Sequence, residues 1–137
     1  MRRSRTASGL VAGALVLPIL AAPVDAQAPS LSMLDQMAKG LWEVRVRGGE
    51  EPTRRVCLGN PRSLIQLRHH DLACARVVVN DKPGEVTVQY TCKGKGYGRT
   101  HIRLENPSLA QIDSQGIDGG LPFAFAAEAR RIGPCAG

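Results

Sequence analysis

The sequence predicts a mainly β fold: a small antiparallel curled sheet or barrel-like meander of six or seven strands, with two short helices and two disulfides. Three observations carry this. Apolar residues alternate with polar ones in one short run after another, turn residues separate the runs in hairpin order, and four cysteines stand in a chain that opens like an exported one.

The first element is an address. MRRSRTASGLVAGALVLPILAAPVDAQAPS places Arg2, Arg3 and Arg5 before an apolar run from Leu10 to Ala22, followed by small residues, which is the three-part grammar of a secretory signal. Val24 and Ala26 offer small side chains at the recognised positions. Cleavage is therefore expected after Ala26, with residues 1–26 as signal peptide and 27–137 as a single β-rich domain. The apolar run falls short of the roughly 20 residues that span a bilayer, and Pro18 interrupts it. Arg2-Arg3 looks like a twin-arginine address, but Ser4, Arg5 and Thr6 stand where apolar residues follow such a pair, so general secretion into the periplasm of a Gram-negative bacterium is expected. No cysteine stands at the cut, and a lipid anchor is not indicated.

Losing Arg2, Arg3, Arg5 and Asp25 with the signal lowers the net charge from +6 to +4. The basic residues form no run, which speaks against a nucleic-acid partner and fits a mixed-charge surface mildly attractive to anions. Only Trp42, Tyr90, Tyr97, Phe123 and Phe125 supply aromatic bulk. Such a core is thin for its size, and covalent staples would help it.

PSLSMLDQMAKG reads as a short helix, with Ser30 as cap, Leu31, Leu34, Met37 and Ala38 on one face and Gly40 as stop. In LWEVRVR the period becomes two, Trp42, Val44 and Val46 facing inward; a second strand runs Thr53 to Leu58. Asn60-Pro61 starts a helix to about His69, because Asn accepts orphan amides and Pro occupies a site that needs no donor. ARVVV, the turn NDKPGE and EVTVQYTC read as a hairpin with Val86, Val88, Tyr90 and Cys92 on one face. After the turn KGKGYG, GRTHIRLE places Thr100, Ile102 and Leu104 inward, and Asn106-Pro107 closes it. LAQIDSQGI and LPFAFAAEARRIG follow, the second assigned to strand by Phe123 and Phe125 at spacing two.

Cys57, Cys74, Cys92 and Cys135 are expected to be oxidised in pairs outside the cytosol. Strand parity selects a pairing. If Ala75, Val77 and Val79 face the core, Cys74 points away from it while Cys92 points in, which disfavours Cys74 with Cys92. Cys57–Cys74 and Cys92–Cys135 are the expected bridges. The sharper alternatives for this region are metal sites, from His70, Asp71 and Cys74 or from His69, His70 and Asp71. Adjacent histidines diverge on a helix, and a closed zinc site wants reduced thiols, so no metal or other cofactor is expected.

GKGYGRT invites comparison with a phosphate-cradling loop, but Lys93 stands where the first glycine belongs, Arg99 replaces the lysine, and a strand follows. His101 with Ser114 and Asp113 suggests a small hydrolase, yet Ser114 lacks the Gly-x-Ser-x-Gly elbow. Lys93, Lys95, Arg99, His101 and Arg103, joined by Arg45 and Arg47, are the candidate anion-binding face, against the plainer reading of a strand face defended by charge.

The landmarks Gly40-Leu41-Trp42-Glu43, Cys57, Cys74, Tyr90-Thr91-Cys92, Gly96-Tyr97-Gly98 and Arg130-Arg131-Ile132-Gly133-Pro134-Cys135 resemble those of the bacterial domain-of-unknown-function family three-six-one-seven, small exported proteins with a Gly-x-Trp start and a Gly-x-Cys end. The resemblance spans nearly all of the chain after the signal. It implies a secreted β-rich fold with two cystine bridges and assigns no activity; many members are rich in Met and Thr in their strands where this chain is rich in Arg. The expected function is a non-enzymatic structural or binding module of the cell envelope whose basic face meets an anionic component.

Overall fold

The computed structural model describes residues 29–136; the signal expected over 1–26 lies outside them. Alternating segments form seven strands: β1 (Gly40–Val46), β2 (Arg54–Leu58), β3 (Ala75–Asp81), β4 (Glu85–Cys92), β5 (Gly96–Asn106), β6 (Leu109–Asp118) and β7 (Leu121–Gly133). They make one antiparallel sheet in the order β2-β1-β7-β6-β5-β4-β3. Strands β3 to β7 are a meander of hairpins, and β1 returns beside β7. The edges β2 and β3 do not pair, so the sheet is open rather than a closed barrel.

A 3₁₀ helix, Pro61–His69, connects the two edge strands across the inner face. Asn60 caps it as expected, its side chain accepting from the Arg62 N–H at 3.1 Å. Leu64 and Ile65 of this helix are fully buried and join Met33 and Leu34 of α1 (Ser32–Asp35). Facing them are Trp42, Val86, Val88, Tyr90, Ile102, Ile112, Ala127 and Ala129. The strands read as half-buried are therefore half-buried, with β7 contributing Ala127 and Ala129 to the core.

α1 is shorter than expected and starts differently. Ser30 does not cap it; Leu31 takes φ 54° at the start, and its N–H is satisfied by Asp81 Oδ2 at 3.1 Å. Arg62 grips Asp35 at 2.6 Å and Ser30 O at 2.7 Å, tying α1 to the 3₁₀ helix. That Arg62 bond holds the Asp35 carboxyl below its ordinary range.

The expected disulfide pairing is wrong. The bridges are Cys74–Cys92 and Cys57–Cys135. The error lies in the facing of β3: Val77 is 66% and Val79 47% exposed, while Val78 packs against the core. A continuous apolar run offers two parities, and tertiary packing chooses the second. Cys74 thus shares the inner side with Cys92, next to the Ala75–Thr91 pair, at a Cα separation of 4.3 Å. Cys57 lies opposite Leu41, which lies opposite Gly133, so two further residues carry the tail over β1 to Cys57. Gly40 makes room for that passage: at φ 145°, a Cβ there would stand 2.5 Å from the Gly133 carbonyl oxygen.

Candidate functional site

Antiparallel register lays the outer-face side chains in rows across the strands. One row runs Arg45, Glu128, Gln111, Arg103, Glu85; the next contains Ala126, Asp113, His101 and Thr87; a third holds Ala124, Gln115, Arg99 and Gln89. Ala124 and Ala126 are small, so β7 forms the floor of a shallow groove with Arg47 on one side and Asp113, Gln115, Arg99 and His101 on the other, about 500 Å³ in volume. A second depression of about 330 Å³ shares Arg99, Gln115 and Ala124 and extends to Tyr97. Together they make an elongated trough with Arg99 at the join.

The expected basic face divides. Arg45 lies 3.1 Å from Glu43, and Arg103 3.0 Å from Glu105. Such exposed pairs contribute little stability, but they cancel charge. Glu85 is held below the ordinary carboxylate range by Lys82 first and His101 second, and Glu128 by Gln111 and then Arg130, so both are ionised at neutral pH. Among the described residues Arg47, Arg99, Lys93 and Lys95 pair with no carboxylate. Arg47 and Arg99 belong to the trough, whereas Lys93 and Lys95 stand at the β4–β5 turn.

The hydrolase constellation does not assemble. His101 and Asp113 face each other on the outer face, and His101 Nε2 contacts Glu85 at 3.3 Å. Ser114 points to the inner face, buried, with its hydroxyl 2.8 Å from Thr100 Oγ1. The sheet separates the proposed nucleophile from its base. Nor do His69, His70 and Asp71 converge: His69 is buried against Tyr90, while His70 is exposed and contacts Asp71 at 3.0 Å. Cys74 is bound in its bridge.

Sequence reasoning missed a buried polar chain on the inner face. His69 Nδ1 is 3.1 Å from the Tyr90 hydroxyl, and His69 Nε2 is 3.5 Å from Asp118, in electrostatic reach but without hydrogen-bond alignment. Thr100 Oγ1 donates to Ile65 O at 2.5 Å and so accepts from Ser114. Burial, then the Asp118 charge, pushes the Tyr90 hydroxyl above its ordinary pKa. Arg68 lies 3.5 Å from Asp118 and 5.3 Å over the Phe123 ring. No helical spacing announced it, because the 3₁₀ helix is broken at Gln66 (φ −124°, ψ 48°), between Ile65 and His69. With its tyrosine, histidine and serine all buried, the chain braces the core. Tyr90→Phe is expected to cost about 1 kcal/mol, since it leaves His69 Nδ1 without its partner; urea denaturation of the two proteins checks it.

A cavity of about 460 Å³ opens beside this chain, walled by Val44, Val46, Leu67 and Phe125. Its rim carries Arg54 and Arg68 against Glu51 and Asp118, a balanced set that selects no ligand charge.

The chain matches no family model, no curated protein and no solved structure. Two disulfides are present, and among the described residues no helix is long and apolar enough to cross a membrane.

Proposed function

We propose that the protein is an exported, non-enzymatic binding module of the periplasm that holds an extended anionic component of the cell envelope in its outer trough. The observation that carries this reading is the placement of Arg47 and Arg99, each without a carboxylate partner among the described residues, around a floor of alanines; two guanidiniums against the one groove carboxylate, Asp113, leave the trough net positive. Unpaired guanidiniums offer planar donor forks suited to phosphate, sulfate or carboxylate oxygens. The trough is longer than a single anion, and Tyr97, half exposed at its far end, supplies a flat apolar surface. Export is part of the proposal: the N-terminal signal grammar and the oxidised cysteines both favour a compartment outside the cytosol. Kinship with the exported family three-six-one-seven belongs to it too and rests on the landmark residues from Gly40 to Cys135.

Isothermal titration with dextran sulfate and with tripolyphosphate tests the site. Binding that weakens with salt is expected, and loss of one charge-assisted contact, in Arg47→Ala or Arg99→Ala, weakens it about tenfold. Both anions binding the double variant as tightly as the parent would refute the reading.

A further inference from the structure

We propose that the end of the sheet formed by the β4–β5 and β6–β7 turns docks on the surface of an anionic lipid bilayer. The two turns are joined side by side, the Gly119 N–H donating to Lys95 O at 2.8 Å. Together they carry Lys93, Lys95, Tyr97 and Leu121. Leu121 is 72% exposed, the most exposed of the large apolar residues among those described, and Tyr97 is 49% exposed. They project on opposite sides of the sheet end, since Leu121 continues the inner parity of Phe123 and Tyr97 lies on the outer face beside Ile117. A leucine and a tyrosine at adjoining turn tips, flanked by two lysines, match the interfacial zone of a membrane: apolar side chains enter the acyl boundary, and the ammonium groups stay among head-group phosphates.

Charge at this end favours the same occupant. Asp118 is paired with Arg68, which leaves Asp71, exposed beside the His70 imidazole, against the two lysines. Both lysines are exposed and, among the described residues, unpaired with carboxylates. The support beneath is stiff. Cys92, the residue before Lys93, is bridged to Cys74, so insertion requires no rearrangement of the strands.

Sedimentation of the purified, disulfide-intact protein with vesicles tests this. Vesicles of phosphatidylcholine and phosphatidylglycerol in equal parts are expected to carry the protein down at low salt, and vesicles of phosphatidylcholine alone to carry down far less. Replacing Lys93 and Lys95 by glutamine weakens binding about fivefold per lysine, and Leu121→Ser weakens it about tenfold. Arg47→Ala with Arg99→Ala leaves it unchanged, which separates this surface from the outer trough. All these positions are exposed, and an unchanged melting temperature confirms folding. No sedimentation of the parent with the anionic vesicles would overturn the proposal. So would sedimentation lost in the arginine variant but kept in the lysine and leucine variants.

Discussion

Replacing Cys57 and Cys135 together by serine lowers the stability of the folded chain by about 4.5 kcal/mol, and replacing Cys74 and Cys92 lowers it by about 3 kcal/mol. The difference follows from the lengths of chain each bridge closes, 78 and 18 residues. The first bridge holds the C-terminal tail to edge strand β2 across β1, so it restrains nearly the whole domain in the unfolded state. The second joins neighbouring strands that hairpin pairing already brings together. Small domains have about 5–15 kcal/mol in total, so the first variant is expected to stand near its unfolding threshold. Urea midpoints of the two double variants measure the order. A larger loss from the Cys74–Cys92 pair would contradict it, and a non-reducing digest shows directly whether the Cys57 and Cys135 peptides are linked.

Trp42→Ala is expected to cost about 3–5 kcal/mol, the range for deleting a large aromatic side chain from a packed core. Trp42 is fully buried, and its Nε1 donates to Ala38 O at 2.9 Å. That bond reels the segment after α1 onto β1, whose second neighbour is β7 through the Trp42–Arg131 pair. The segment is also held from the other side, the Ala38 N–H donating to Pro107 O at 2.8 Å and Arg131 Nε to Lys39 O at 2.8 Å. The alanine variant therefore opens a cavity and loosens α1 together. Trp42→Phe keeps most of the bulk and loses the bond, so about 1–2 kcal/mol is expected. Trp42 is the sole tryptophan, and its fluorescence in the parent reports unfolding of this junction; circular dichroism follows the variants. A loss under 1 kcal/mol for the alanine variant would place Trp42 outside the core.

The elements legible in the sequence were those whose period admits one reading. β4 alternates strictly, and Val86, Val88, Tyr90 and Cys92 are buried as expected. Asn60-Pro61 names its helix because cap chemistry is local. β3 was illegible in facing, since Ala75, Val77, Val78 and Val79 are apolar at both parities and only packing against the 3₁₀ helix decides. Arg76 records that decision by reaching Gln66 Oε1 at 2.7 Å. The disulfide pairing failed for that reason and for a second: the register shift between the Trp42–Arg131 and Leu41–Gly133 pairs breaks the parity that extends from Phe123 and Phe125 to Cys135. The core over Gly98 is a further case: the glycine reads as part of a turn, but it lies opposite Tyr90 in the sheet, and its missing side chain lets the Tyr90 ring lie across the strand. Of the candidate anion face, residue types were visible and partnership was not. Arg45 and Arg103 pair with Glu43 and Glu105 two residues away on their own strands, while Arg55 is reached by Glu43 from a neighbouring strand, and only the folded sheet shows that Arg47 and Arg99 find no such partner among the described residues.

The sheet has one face that builds the core, and the proposal gives the other to an anionic ligand. Chemical-shift mapping of the isotopically labelled, oxidised protein during titration with dextran sulfate measures that division directly. The shifts are expected to gather on Arg47, Arg99, Gln115, Ala124 and Ala126 along the trough. Shifts gathered instead at the cavity between Val46 and Leu67, or spread evenly over both faces, would contradict the assignment of the outer face as the binding face.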